Sequence, residues 1–276
     1  MPDLLYQKFP DKHHAVFTMN RPAQLNALNI NMIREQAEAL EDFTADPEMR
    51  VGILTGNGRA FSAGADLKEM AERNAQTAEI EAKFAKKHLT LEQRNEALAK
   101  FKPVRGMVSF SNGPKPVIAA INGLCLAGGM ERAIDCDIRI CSTEAYFGLF
   151  EVKRGILAGY AIQHVARVMP FGEALYLLTT GDTLKAQDAH RVGFVHEVVE
   201  PARLMPRAVE IAEMIAANAP LAVQGSKAMA IFWRKHGMEE SERLFQWIYK
   251  SVLSSEDAKE GPRAFAEKRP PVWKAR

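Results

Sequence analysis

Cysteine is scarce: Cys125, Cys136 and Cys141 are the only three in 276 residues. They lack Cys-x-x-Cys spacing and have no histidines in register, which argues against a disulfide framework or a zinc site and leaves them as small core residues. His13, His14, His88, His164, His190, His196 and His236 show no metal spacing either, and read as surface or packing residues, so no metal is expected. No apolar run approaches the roughly 18 residues that a membrane span needs. Met1 to Phe9 has neither a basic-then-apolar leader layout nor an Arg/Ser-rich transit character. A cytoplasmic, soluble protein with no membrane partner is expected. A large charge of one sign is missing too. The net charge of +2 gives no drive toward nucleic acid, which is not expected as a partner, and does not oppose a phosphate-bearing ligand. Ser62 lacks the Gly-x-Ser-x-Gly elbow of a serine hydrolase, and Gly56-Asn57-Gly58 lacks the Gly-Lys-Ser/Thr ending of a phosphate loop.

What is present describes a globular chain of ordinary composition, 25% charged and 47% apolar, long enough to bury a substantial core. Ala15–Met19, Val51–Thr55, Val117–Ile121 and Asp137–Cys141 are short β-prone runs, three of them closed by turn signals at Asn20-Arg21-Pro22, Gly56-Asn57-Gly58 and Asn122-Gly123. Between them Asn29–Phe43 carries Ile33, Ala37, Leu40 and Phe43 near helical spacing, and a helix is expected to begin near Gly128. That rhythm predicts an α/β fold with βαβ crossovers and a mainly parallel sheet. The polar connection Lys68–Lys115 has no strand candidate, and its length suits a segment that shapes a site. Its Lys83, Lys86 and Lys87 cluster reads as a solvated helix face, with a phosphate or RNA contact as the alternative. From Pro170 the pattern turns helical over Phe171–Leu178, Ala186–Arg191, Pro201–Asn218, Pro220–His236 and Glu239–Ser254. A core over residues 1–200 and a helical region over 201–276 are expected.

Two small-residue stretches stand out, Phe61-Ser62-Ala63-Gly64-Ala65-Asp66-Leu67 and Asn122-Gly123-Leu124-Cys125-Leu126-Ala127-Gly128-Gly129-Met130-Glu131. Each follows a strand, and small residues let backbone N–H groups approach a ligand, so two such turns could hold one oxygen between two donors. Glu131 reads in two ways: a carboxylate stabilised by roughly 0.3–1 kcal/mol at a helix start, or an acid–base group beside a ligand at Gly128. Glu151 reads as a surface partner of Lys153 or Arg154, or as the second of two carboxylates. Taken together, two carboxylates around one water can share a proton, one acting as base and the other as acid.

These motifs resemble the crotonase, or enoyl-CoA hydratase/isomerase, family. The likeness runs from Asn20-Arg21-Pro22 and Asn26-Ala27-Leu28 through Ser62–Leu67, Lys115–Gly123, Gly128–Glu131, Cys136-Asp137 and Glu151–Gly155. It continues through Thr180-Gly181-Asp182, Gly193-Phe194-Val195 and Glu260-Gly261 to Glu267-Lys268-Arg269. The resemblance implies a spiral of ββα turns with a C-terminal helical trimerisation region, assembled as a trimer or a pair of trimers. It implies an acyl-CoA substrate and no separate cofactor. The N–H groups of Ala65 and Gly128 would hold the thioester oxygen, with Glu131 as the first catalytic carboxylate and Glu151 as the second. Ala27, Ala63, Asp66, Leu67 and Lys68 would meet the CoA, and Lys268 with Arg269 would reach its phosphates from a neighbouring subunit. Two carboxylates favour a hydratase; an isomerase, an acyl-CoA hydrolase or a non-catalytic RNA-binding relative are the alternatives. After Gly155 the family's Pro-Gly-x-Gly-Gly run is replaced by Ala158-Gly159-Tyr160-Ala161-Ile162. The bulk of Tyr160 and Ile162 is expected to reshape the acyl pocket or move Glu151.

Overall fold

The structure, a computed structural model, describes residues 1–86, 88–99 and 109–276. Its strands are β1 (Leu4–Phe9), β2 (His14–Met19), β3 (Val51–Gly56), β4 (Ala60–Ser62), β5 (Val117–Ile121), β6 (Leu124–Leu126), β7 (Ile138–Ser142), β8 (Tyr146–Gly148), β9 (Thr183–Lys185) and β10 (Glu197–Val199). Its α-helices are α1 (Ile30–Ala45), α2 (Leu67–Ala85), α3 (Leu91–Ala99), α4 (Gly128–Ile134), α5 (Gly159–His164) and α6 (Phe171–Thr180), followed by α7 (Ala186–Arg191), α8 (Leu204–Ala216), α9 (Pro220–His236), α10 (Met238–Ser254) and α11 (Glu256–Ala266).

The strands sort into two sheets, ordered β1-β2-β3-β5-β7-β10 and β4-β6-β8-β9. Three times in succession the first strand of a pair enters the larger sheet and the second enters the smaller: β3 with β4, β5 with β6, β7 with β8. A helix then follows. This is the expected α/β class and ββα repeat. The large sheet is parallel from β2 to β10, and only β1 runs antiparallel to its neighbour.

Burial on both faces explains why its strands are so apolar. Along β5, Val117, Ala119 and Ile121 enter one core with Phe17, Phe43 and Phe61, while Ile118 and Ala120 enter a second with Val51, Ile53 and Ile140. That second core is closed by Leu204, Ala208, Ala212 and Ala216, the small stripe of α8. The expected boundary at residue 200 falls just before this helix, whose apolar face packs on the sheet.

The helices have local causes. The Asn29 side chain accepts the Met32 N–H at 2.8 Å and starts α1, and Asp66 does the same for α2 through Glu69. At the other end of α1 the buried Lys115 ammonium donates to the carbonyls of Phe43 (2.7 Å) and Asp46 (2.6 Å). A second buried ammonium, on Lys227 of α9, donates to Asp137 at 2.8 Å and to the carbonyls of Phe110 and Lys115. It ties the C-terminal helices to the edge of β5.

Candidate active site

The two small-residue turns face one another. An isolated parallel bridge joins Leu28 to Ala65, made by the Leu28 N–H to Gly64 O (2.7 Å) and the Asp66 N–H to Leu28 O (3.0 Å). Both bonds use the residues flanking Ala65, so the Ala65 N–H is turned to the opposite side. Gly128 is the first residue of α4, where an N–H has no partner within the helix. A Cβ placed on Gly128 would stand 3.4 Å from the Ala65 nitrogen, and one placed on Gly64 (φ +91°) would stand 2.9 Å from the Gly128 nitrogen. Gly129 packs closer still, with Ser62 O only 2.3 Å from where its Cβ would be. These glycines let the two turns meet. Ala127 between them adopts φ +49°, ψ −126°, a conformation L-residues rarely take.

A polar network fixes the first turn. The buried Asn26 amide donates to Asn57 O (2.9 Å) and Ala60 O (2.7 Å) and accepts the Arg21 N–H (2.9 Å). Ser62 Oγ donates to Asn26 O at 2.8 Å and accepts the Gly64 N–H at 3.1 Å. Arg21 spans the Ala27 carbonyl (2.7 Å) and the Asp66 carboxylate (3.0 Å). Burial pushes the Asp66 carboxyl up, but the Glu69 N–H and Arg21 outweigh it and hold it below its ordinary value. Ala27 is buried here, Ala63 donates its N–H to Leu25 O at 2.9 Å, and Leu67 and Lys68 are exposed at the start of α2.

The second turn carries the acids. The Ala127 N–H donates to Gly148 O at 2.8 Å, which joins the start of α4 to the end of β8. Glu131 lies in the first turn of α4, and Glu151 opens the 3-10 turn Glu151–Arg154 three residues beyond β8. Oε1 of Glu131 accepts the Ala161 N–H of α5 at 2.9 Å. Glu151 is only 7% exposed, and its Oε2 has no hydrogen-bond partner among the described residues. Burial pushes its carboxyl above the ordinary value. Its own N–H pulls it back, the charge of Glu131 adds to the rise, and Arg154 opposes it. A carboxylate so placed is held toward its protonated form next to one that is anchored by a donor. The pair can therefore divide acid and base roles beside two fixed N–H donors.

Other expected residues are placed elsewhere. Lys268 lies exposed beyond α11, and its side chain has no partner among the described residues. Arg269 grips Glu260 through two bonds of 2.6 and 3.0 Å, so its guanidinium is occupied within the C-terminal region. Lys83 pairs with Glu79 one turn earlier on α2; Lys86 caps the helix and Lys87 lies outside the described residues. Ile162 is exposed, and the Tyr160 hydroxyl turns to Asp135 at the far end of α4 from Gly128. A cavity of about 670 Å³ lies between α9 and the N-terminal ends of β5 and β7, and neither glutamate lines it. Sequence reading missed Ala161, because a backbone N–H that serves a carboxylate thirty residues away has no residue-type signature.

The enoyl-CoA hydratase/isomerase family model matches residues 12–276. The chain is 38% identical to a short-chain-enoyl-CoA hydratase of Clostridium acetobutylicum over 257 residues, 92% of each chain. It is 36% identical to a mevalonyl-coenzyme A hydratase of Aspergillus fumigatus, covering 96% of this chain and 93% of that one. Among solved structures, the enoyl-CoA hydratase of Mycobacterium tuberculosis superposes with a TM-score of 0.85 at 33% identity over the whole of both chains.

Proposed function

Because this chain belongs to the enoyl-CoA hydratase/isomerase family, we propose that it is a hydro-lyase adding water across the 2,3 double bond of a 2-enoyl-CoA. The observation that carries this reading is the pairing of Glu131 with the buried Glu151 beside the Ala65 and Gly128 N–H groups. In the reaction the two N–H groups hold the thioester oxygen as an oxyanion hole. Glu131 takes a proton from water as the oxygen adds to Cβ, and electrons from the double bond move onto the thioester oxygen. Glu151 delivers a proton to Cα, the enolate collapses, and the product is a 3-hydroxyacyl-CoA. The protein needs no cofactor for this, since CoA belongs to the substrate. Removing one oxyanion donor typically costs ~10²–10³ in rate.

Ala27, Ala63, Asp66, Leu67 and Lys68 form the proposed CoA-binding rim. Lys268 is proposed to reach CoA phosphates from a second subunit. The C-terminal helices support self-association as a trimer or a pair of trimers, because Trp233, Met238, Phe245 and Trp247 of α9 and α10 are exposed apolar side chains. The protein is proposed to act in the cytoplasm, in fatty acyl-CoA metabolism. Loss of the conjugated thioester absorbance of crotonyl-CoA and longer enoyl-CoAs tests the reaction. Glu131→Gln and Glu151→Gln are each expected to slow it by about 10²–10⁴ with the fold intact. Full activity in either variant removes that residue from the mechanism.

A further inference from the structure

α4 presents a carboxylate near each end, and both hold α5. Near its start Glu131 Oε1 accepts the Ala161 N–H at 2.9 Å, and just past its end Asp135 Oδ1 accepts the Tyr160 hydroxyl at 2.8 Å. The two donors are consecutive residues. α5 is six residues long, too short to hold itself as an isolated helix. It follows Gly155 (φ +70°) and the exposed Ile156 and Leu157. Its placement therefore depends on what it is tied to.

Asp135 is a firm anchor. It is buried, and it also accepts the Phe110 N–H (2.7 Å) and the hydroxyls of Ser109 (2.8 Å) and Ser111 (2.9 Å), where the long connection rejoins the core. The Tyr160 ring stacks on His164 one turn later, with centroids 3.8 Å apart and planes within 5°. The phenol is thus held along its face and at its tip.

We infer that the Asp135–Tyr160 bond is a strut that sets the Ala161 N–H against Glu131, which makes Tyr160 a positioning residue for the proposed base. The inference rests on the reading of Glu131 as the base. With Oε1 anchored by Ala161, Oε2 has one direction in which to meet the attacking water, and small misplacements of such groups are expensive in rate. The thioester donors Ala65 and Gly128 lie outside α5, the element that the strut places, so loosening the strut slows proton transfer and leaves CoA binding in place.

Tyr160→Phe removes only the hydroxyl, and Asp135 keeps three donors. Hydrogen exchange of the Ala161 amide and steady-state kinetics on enoyl-CoA are measured for the full chain as wild type, Tyr160→Phe, Glu131→Gln and the double variant. In Tyr160→Phe the Ala161 amide is expected to exchange about tenfold faster, and kcat to fall about tenfold with KM unchanged. In the Glu131→Gln background the substitution is expected to slow kcat no further, because the strut acts only through that carboxylate. Unchanged Ala161 protection overturns the strut. Lost protection with wild-type kcat overturns its part in catalysis, as does an undiminished tenfold loss in the Glu131→Gln background. Full activity of Glu131→Gln alone refutes the base assignment, while the exchange measurement still judges the strut.

Discussion

Glu151 is the residue at which catalysis and stability pull apart. Its carboxyl is buried beside Glu131 with one oxygen unpartnered, so folding raises it above its ordinary value. The folded state then binds the proton more tightly than the unfolded chain. Its stabilising contribution is complete below the ordinary carboxylate range and is lost as pH rises through the raised value. Glu151→Gln is therefore expected to melt higher than wild type near neutral pH and to converge with it in acid. Melting curves from about pH 4 to pH 8 check this, and identical slopes in the two proteins would refute the burial account. Gly64→Ala tests the oxyanion geometry. The residue sits at φ +91° with the Gly128 nitrogen 2.9 Å from the added methyl, so a kcat loss of at least about 10² is expected; retained activity would show that the turns tolerate separation. Glu131 and Glu151 took their proposed roles only through the family resemblance, since residue type and spacing left each an ordinary structural reading. The glycine turns were legible in the sequence because small residues announce close backbone approach. Ala161, and the strained backbone of Ala127, were not, because neither side chain has any chemistry to read.

Among the elements, the buried pair of Lys227 and Asp137 joins α9 to the sheet. Burial pushes the Asp137 carboxyl up, and Lys227 pulls it down without cancelling the rise. Lys227→Met leaves that charge uncompensated and is expected to destabilise the protein by about 3–5 kcal/mol in urea unfolding. A loss under about 1 kcal/mol would mean that α9 is held mainly by its apolar face. The long elements were readable: α1, α9 and α10, and strands β2, β3, β5 and β7, lie within a residue or two of the expected ranges. The three-residue strands β4, β6, β8, β9 and β10 were not, since three residues carry no alternation to detect. β1 pairs only at the sheet edge, and α11 holds Pro262 inside it. Both lacked the signals that marked their neighbours.

At the scale of the whole molecule, the exposed apolar side chains of the C-terminal half are the outstanding feature. Phe265 is 87% exposed and Trp247 70%. Sedimentation at micromolar concentration is expected to give a trimer or a pair of trimers. Charged substitutions at Phe245 and Trp247 are expected to shift it to smaller species, and a monomeric wild type would overturn the assembly. The order of apolar runs, turns and small-residue pairs was enough by itself to determine the α/β class, and the ordered motifs along the chain carried the likeness to the family. These are local properties, written in residue type and spacing. Only the tertiary structure decided that Glu151 is buried beside Glu131, that Ala161 holds Glu131, that α8 belongs to the sheet core and that Tyr160 turns to Asp135. Each of these depends on how distant segments pack together, and burial and hydrogen-bond partnership exist only once they have done so.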